Sequence, residues 1–157
     1  MAATKDDKPA KGRTALFPGS FNPFTIGHAD IVERALRLFD NVVVAIGYNI
    51  SKGDNGIAAR QEAIARLYAG EPRVIVETYS DLTVDMARRH DATAIVKGVR
   101  SVKDFEYERE QAELNSLIGD GIETILLPAR PELAAISSTA VRELQHFGHD
   151  VTPFLPR

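Results

Sequence analysis

The sequence predicts an α/β protein built on an open, doubly wound sheet of five parallel strands, with helices on both faces of the sheet. Short apolar runs alternate with longer segments of helical periodicity along the chain. The clearest run, Asn-Val-Val-Val-Ala-Ile-Gly at residues 41–47, has the continuous β-branched character of a strand that is buried on both faces. Alternation of this kind favours parallel strands that are joined by right-handed helical crossovers.

The boundaries of the ten predicted elements rest on local signals. The first strand ends in a turn rich in glycine and proline, and the helix after it places apolar residues from Ile31 to Phe39 on one stripe. The second helix stops at Gly70, a residue type that is common at helix C-caps, and the fourth stops at Gly119. Hydroxyl residues at 137–139 open the last helix. We predict strands at residues 14–17, 41–47, 73–78, 93–97 and 122–127, and helices from Gly27 onward and over residues 57–69, 83–90, 102–118 and 137–147.

This arrangement is Rossmann-like and predicts where a ligand would bind. In such sheets the ligand lies beyond the carboxyl ends of the strands, at the point where the strand order reverses. The sequence contains neither a GxGxxG motif nor a Walker GxxxxGK[ST] motif, so the usual dinucleotide and P-loop interpretations fail.

The composition is that of one ordinary globular domain. Of the 157 residues, 44% are hydrophobic and 26% are charged, and the formal net charge of −3 argues against nucleic acid as a partner. The chain has no cysteine, no apolar run near the ~18 residues that span a bilayer, and no apolar signal-peptide core. We therefore expect a disordered tail at residues 1–13, a single domain over residues 14–157, a cytoplasmic location and no membrane association.

The loop after the first strand carries the strongest candidate site, Gly-Ser-Phe-Asn-Pro-Phe-Thr-Ile-Gly-His at residues 19–28. It joins a strand to a helix N-terminus, where free backbone N–H groups and the helix dipole attract phosphate. His28 falls in the first helical turn, within reach of an anion held there, and Ser20 and Thr25 add hydroxyls. Taken singly, His28 fits a surface histidine and Thr25 a helix cap, but their combination favours a phosphate site.

Cations follow two further strands. Lys52 lies in a glycine-rich loop after the second strand, where a lysine is most often a solvated surface charge. Lys97-Gly98-Val99-Arg100 follows the fourth strand. Gly98 permits close backbone approach, and an arginine grips phosphate oxygens bidentately. The structural alternative is that both cations cap the following turn.

Glu108 and the hydroxyl run at residues 137–139 are the remaining candidates. Glu108 shares a helix face with Phe105, so its carboxylate needs a partner, either a structural arginine or a ligand hydroxyl. Ser137 is expected to cap the last helix, yet three hydroxyls exceed what one cap needs. A second anion site at this helix N-terminus, aided by Arg142, is the functional interpretation.

Taken together, these segments resemble the bacterial phosphopantetheine adenylyltransferases, a family of the nucleotidylyltransferase superfamily. Thr25-Ile26-Gly27-His28 matches the [HT]-x-G-H motif with which the superfamily binds triphosphate. The resemblance extends from residue 14 to residue 156. Other parts that carry it are Ser51-Lys52, Lys97-Gly98-Val99-Arg100 and Ile136-Ser137-Ser138-Thr139. Asp104-Phe105-Glu106-Tyr107-Glu108 and the run at residues 150–156 point to this family in particular.

The resemblance implies transfer of the adenylyl group of ATP to 4′-phosphopantetheine, giving dephospho-coenzyme A and pyrophosphate. It also implies a homohexamer. We expect Mg²⁺ to arrive with ATP rather than to occupy a protein-built metal site, because the sequence shows no clustered carboxylates. His28 and Lys52 are the expected catalytic residues, with His28 stabilising the transition state.

The resemblance also assigns two sets of binding residues. The substrate phosphopantetheine is expected to contact Ser20, Lys52, Thr83 and Lys97. The ATP contacts are expected at Ser20, Phe21, His28, Gly98, Val99, Arg100, Glu108, Leu133, Ala134, Ala135, Ile136, Ser137, Ser138 and Thr139.

The chain departs from the family pattern at three points. Lys97 stands where the family commonly has arginine, which would make this anion contact monodentate. Ile26 stands where asparagine is common, and the family's C-terminal extension is nearly absent.

Two other functions fit part of the pattern. Residues 136–142 also match the I-S-S-T-x-x-R pattern of nucleotidylyltransferases that act on nicotinamide mononucleotide, although the run at residues 104–108 speaks against them. The other alternative is a nucleotide-binding module without turnover. Such a module would need neither His28 nor Lys52 for transition-state charge.

Overall fold

The computed structural model of the chain describes residues 12–53 and 56–157. Of the predicted tail, residues 1–13, only Gly12 and Arg13 lie within these ranges. The Arg13 backbone N–H donates to the Asp40 carboxylate (2.8 Å), and the Arg13 carbonyl accepts from the N–H groups of Asp40 and Asn41 (2.9 and 3.1 Å). These bonds join the start of the first strand to the start of the second.

Five strands and five α-helices alternate along the described chain. The strands are β1 (Thr14–Gly19), β2 (Asn41–Gly47), β3 (Val74–Tyr79), β4 (Ala94–Val99) and β5 (Glu123–Pro128). The helices are α1 (Ile26–Ala35), α2 (Ile57–Leu67), α3 (Thr83–Arg89), α4 (Val102–Ile118) and α5 (Ser138–His146). Short 3₁₀ turns, which the sequence did not predict, occupy Ile50–Lys52, Pro131–Leu133 and Thr152–Phe154.

All five strands are parallel, in the order β3-β2-β1-β4-β5, which confirms the predicted doubly wound fold. β1 pairs with β2 from Thr14 to Gly19, but it pairs with β4 only at Ala15 and Leu16. Beyond Leu16 the two central strands therefore separate towards their carboxyl ends. This divergence lies at the switch point, where doubly wound sheets bind ligands.

Helices cover both faces of the sheet, as predicted. Because successive side chains of a strand point to opposite faces, Phe17 of β1 packs with Ile31 of α1 and Ile64 of α2, whereas Leu16 packs with Met86 of α3. α4 packs beside α3, against β4 and β5. No helix within the described ranges is long and apolar enough to cross a membrane.

The boundary predictions failed where tertiary contacts decide the end of an element. β1 runs on to Gly19 because its ladder with β2 continues, with Gly19 opposite Ile46. α2 ends at Leu67, and its C-cap is Tyr68 rather than Gly70, so the predicted glycine cap is wrong. Tyr68 packs edge-on against Phe24 at 6.1 Å between ring centroids, a long-range contact that the local sequence does not reveal.

Candidate active site

Two adjoining cavities open where β1 and β4 diverge. Cavity 1, about 260 Å³, lies between the N-terminal ends of α1 and α5 and the loop after β4. Cavity 2, about 310 Å³, lies on the other side of the same opening, between α3 and α4. The residues that line both cavities are Pro18, Gly19, Ser20, Lys97 and Glu108.

The N-terminus of α1 is closed by a capping box that includes His28. The His28 backbone N–H donates to Thr25 Oγ1 (3.4 Å), and the Thr25 N–H donates to His28 Nδ1 (2.9 Å). Glutamate or glutamine usually makes the second of these bonds in a capping box. Because Nδ1 accepts, the neutral imidazole carries its proton on Nε2, which is the donor left for other partners.

The surroundings of His28 keep its ring uncharged. The ring lies 5.0 Å from Phe21 and 5.4 Å from Phe24, measured between centroids. Burial, together with the nearby positive charges of Lys97 and Arg100, lowers the pKa of His28 to about 4. At neutral pH the side chain therefore offers a hydrogen-bond donor without carrying a positive charge.

Side chains from other elements hold the loop between β1 and α1. Arg60 of α2 donates to the Ser20 carbonyl (3.0 Å), and Ser138 of α5 donates to the Pro23 carbonyl (2.7 Å). Arg142, predicted to aid an anion site, donates to the Asn22 carbonyl and to Thr139 Oγ1. The loop that carries the motif is thus fixed from both sides.

The three hydroxyls at the start of α5 all have protein partners. Ser137 Oγ accepts from the Ala140 N–H (3.0 Å), as expected of a cap. Ser138 Oγ donates to the Pro23 carbonyl, and Thr139 Oγ1 accepts from Arg142. Hydrogen bonds within the protein therefore account for all three hydroxyls. All three residues nevertheless line cavity 1, so the backbone N–H groups of this helix start also lie at its wall.

β4 runs to Val99 rather than ending at residue 97 as predicted, so Lys97 lies within the strand and Arg100 directly after it; both cations are paired with carboxylates of α4. Lys97 Nζ lies 3.3 Å from Glu108 Oε1 and donates to the Pro18 carbonyl (3.3 Å). Arg100 Nε lies 3.1 Å from Asp104 Oδ2. The partner of Glu108 is thus a lysine, which neither interpretation of the sequence had named. Lys97 thus joins the carboxyl ends of β4 and β1 through the Pro18 carbonyl, and it lines both cavities.

Beyond Lys97 and Glu108, the polar groups that line cavity 2 are uncharged. Tyr79 at the end of β3 is hydrogen-bonded to Thr83 through the two hydroxyls (3.0 Å), and burial raises the pKa of Tyr79. Asn115 of α4 and Thr124 of β5 line the same space. This cavity offers a cation at one end and neutral hydrogen-bonding groups further in.

The structure brings most of the predicted site residues together, with a few exceptions. Lys52 lies exposed in the 3₁₀ turn after β2 and lines neither cavity. Val99, Ala134 and Ala135 also lie outside both linings. Thr83 lines cavity 2. The predicted residues that line cavity 1 are Ser20, Phe21, His28, Lys97, Gly98, Arg100, Glu108, Leu133, Ile136, Ser137, Ser138 and Thr139.

The lining residues that sequence reasoning missed include two that form an ion pair and two in cavity 2. Tyr79 and Thr124 line cavity 2, and Asp30 lines cavity 1, where it binds Arg130 (2.8 Å). Tyr79 could have been predicted, because it stands at the carboxyl end of a strand, as the selected residues do. Arg130 reaches Asp30 across 100 positions of the chain, so no local pattern signals that pair.

Comparison with known proteins identifies the family of the chain. A cytidylyltransferase-like family profile matches residues 16–144. The phosphopantetheine adenylyltransferase of Porphyromonas gingivalis strain ATCC 33277 is 56% identical over 147 residues, which cover 93% of this chain and 95% of that protein. The enzyme of the same name from Methylococcus capsulatus is 43% identical over 91% of this chain and 89% of its own.

Solved structures support the fold. A bifunctional NMN adenylyltransferase/ADP ribose pyrophosphatase from Francisella tularensis superposes with a TM-score of 0.68 at 19% identity, over 92% of this chain and 45% of that longer one. The same protein complexed with AMP and a manganese ion superposes with a TM-score of 0.65 at 18% identity, over 92% of this chain and 44% of that one. At this identity the likeness concerns the fold alone. On the sequence comparisons, the chain belongs to the cytidylyltransferase-like family and to the phosphopantetheine adenylyltransferases.

Proposed function

We propose that this protein transfers the adenylyl group of ATP to 4′-phosphopantetheine, giving dephospho-coenzyme A and pyrophosphate in coenzyme A biosynthesis. The observation that carries the proposal is the meeting of two cavities at Ser20 and Lys97. A reaction between two bound substrates needs two compartments whose reacting ends lie together. The family relationship names the substrates, and the geometry indicates how each would be placed.

ATP fits cavity 1 in this proposal. The start of α5, with residues 137–139, and the guanidinium of Arg100 would hold the β- and γ-phosphates, which leave as pyrophosphate. The other ATP contacts predicted from the sequence are Ser20, Phe21, His28, Gly98, Val99, Glu108, Leu133, Ala134, Ala135 and Ile136. Of these, Val99, Ala134 and Ala135 stand outside the lining and would contribute backbone groups at most.

Phosphopantetheine fits cavity 2, with its phosphate at the shared end. Ser20 and Lys97 lie there, and Thr83 lines the cavity further along. Two of the three N–H donors of the Lys97 ammonium group are directed at Glu108 and at the Pro18 carbonyl, so the third would be the one to meet the phosphate. The phosphate would thus share one lysine with a carboxylate.

The chemistry requires no general base. A phosphate monoester is already anionic at neutral pH and attacks the α-phosphorus of ATP directly, while the bond to the pyrophosphate oxygen breaks. Catalysis then depends on in-line positioning and on stabilising the charge of the transferred group. His28 suits this role, because its Nε2–H is a fixed donor that needs no proton from solvent.

Lys52 is the second proposed catalytic residue. It is exposed in the free protein, and its long side chain would swing towards the phosphopantetheine phosphate when that substrate binds. Its contribution would therefore depend on substrate-induced placement, unlike that of His28.

The metal is proposed to be Mg²⁺ carried by the triphosphate. Within the described residues no group of three or more His, Cys, Asp or Glu side chains is placed to hold a metal ion. Asp30 and Asp104 line cavity 1, but both are ion-paired with arginine. Bound to the phosphates, Mg²⁺ would neutralise part of their charge, and the protein would hold the complex through Arg100 and the start of α5.

A homohexamer in the cytoplasm completes the proposal. α4 has no buried residue, and its surface exposes Val102, Leu114 and Leu117 to 76%, 50% and 82% in the single chain. Such a face supports association of copies. The need for ATP supports a cytoplasmic location.

The test is pyrophosphate release from Mg·ATP with 4′-phosphopantetheine or with nicotinamide mononucleotide, followed by mass analysis of the product. We expect release with phosphopantetheine alone, with dephospho-coenzyme A as the product. Release with the mononucleotide alone would show that the proposed substrate is wrong and that the proposed reaction class is right. ATP binding without release in either case would favour a binding module.

A further inference from the structure

Thr124 is the one residue within the described ranges whose side-chain polar atom is fully buried without a hydrogen-bond partner. Its hydroxyl oxygen has no donor or acceptor in reach, although the residue lines cavity 2. An unpaired buried hydroxyl costs free energy. Buried polar groups are normally paired, so an exception calls for an explanation such as a ligand that completes it.

The position of Thr124 relates it to the charged end of the cavity. Thr124 lies opposite Ile95 in the β4–β5 ladder, two residues before Lys97 along β4. Two residues of a strand span about 7 Å, so the hydroxyl lies roughly that far down the sheet from the level of the ammonium group. Gln111 and Asn115 of α4 line the same inner region.

We propose that Thr124 is a specificity-determining residue whose hydroxyl pairs with an amide in the uncharged arm of the substrate. The inference rests on the proposed function, which puts a phosphate monoester with an amide-bearing arm in cavity 2. The phosphate occupies the Lys97 end, so the arm extends along β4 to the level of Ile95 and Thr124. A hydroxyl both donates and accepts, and therefore pairs with either half of an amide.

Access to the ligand requires only a side-chain rotation. Thr124 Oγ1 is itself buried, while other atoms of the residue line the cavity. A turn of 120° about χ1, between staggered wells, brings the hydroxyl to the position that the methyl group had occupied, without moving the strand. Binding of the arm favours the rotamer in which the hydroxyl is paired.

The experiment compares Thr124→Val with the wild-type protein and with Thr124→Ser, which keeps the hydroxyl. Each protein is assayed with 4′-phosphopantetheine and with a short alkyl phosphate monoester that lacks amides. We expect Thr124→Val to raise the KM for phosphopantetheine roughly 5–10-fold, the loss of one neutral hydrogen bond. The KM for ATP, kcat and the KM for the alkyl phosphate should stay the same, and Thr124→Ser should stay within a factor of about three of wild type.

The thermal midpoint of the free protein separates this role from a structural one. Valine removes an unpaired hydroxyl and keeps the shape of the side chain, so Tm should be unchanged or higher. An unchanged KM for phosphopantetheine, or equal losses for both phosphates, would overturn the assignment. If the wild-type protein failed to turn over phosphopantetheine while binding ATP, the proposed function would fall, and this inference with it.

Discussion

The loops after β1 and β2 begin side by side at the same edge of the sheet, yet they present their catalytic candidates in different ways. Gly19 and Ile46 lie opposite each other near the ends of these strands. His28, after the first loop, is half-buried, bonded to the Thr25 N–H and packed among aromatic rings. Lys52, after the second loop, is exposed in a 3₁₀ turn that Asn49 caps by accepting from the Ser51 N–H (3.0 Å).

The two side chains differ in how much each must reorganise before the reaction. His28 is already oriented, and its charge state is set mainly by burial, so in the proposed mechanism little reorganisation would remain when the α-phosphate reacts. Lys52 has to lose side-chain freedom and hydration to reach a substrate phosphate. A preorganised donor acts mainly on kcat, whereas a mobile cation acts on binding as well.

The largest expected effect is that of removing the oriented donor. His28→Ala should lower kcat for pyrophosphate release by roughly 10²–10³ while leaving the KM values within a few-fold, as for loss of an oxyanion-type donor. Steady-state kinetics with both substrates measure the split. His90→Ala is the matched control, since His90 is bonded to Glu77 and lines neither cavity. A loss below tenfold in kcat would place His28 outside the transition state.

A smaller effect is expected at the mobile cation. Lys52→Ala should lower kcat/KM for 4′-phosphopantetheine roughly 10–100-fold, the range for one hydrogen bond to a charged group, with no change in Tm. Lys103→Ala removes another exposed lysine that lines neither cavity, and it should behave as wild type. Equal activities of the two variants would show that Lys52 takes no part and would sharpen the contrast between the loops.

The smallest effect concerns stability. Thr25→Val keeps the shape of a buried side chain but removes the oxygen that caps α1, and should cost about 1 kcal/mol, or ~2–4 °C in Tm. Asn49→Ala removes an exposed cap of the short turn before Lys52 and should cost less. Thermal unfolding of both variants measures the difference. Equal shifts would mean that the two loops are held alike, contrary to the structure.

Much of the site was predictable because its signals are local. The Thr25–His28 motif specifies a helix N-terminus after a strand, and that arrangement by itself predicts a phosphate site. The residues from Lys97 to Arg100, at the carboxyl end of β4, were selected by the same rule. The pair of Lys97 with Glu108 was not, because the two residues come from different elements and meet only when α4 packs beside β4.

The sequence alone determined the order of elements, the parallel sheet and the edge at which ligands would bind, since apolar periodicity and turn residues act over a few positions. The tertiary structure decided which side chains meet at that edge. It pairs Lys97 with a carboxylate, buries His28 so that its pKa falls, and leaves Thr124 without a partner. Those properties depend on distances across the fold and on burial, and no local pattern of residues encodes either.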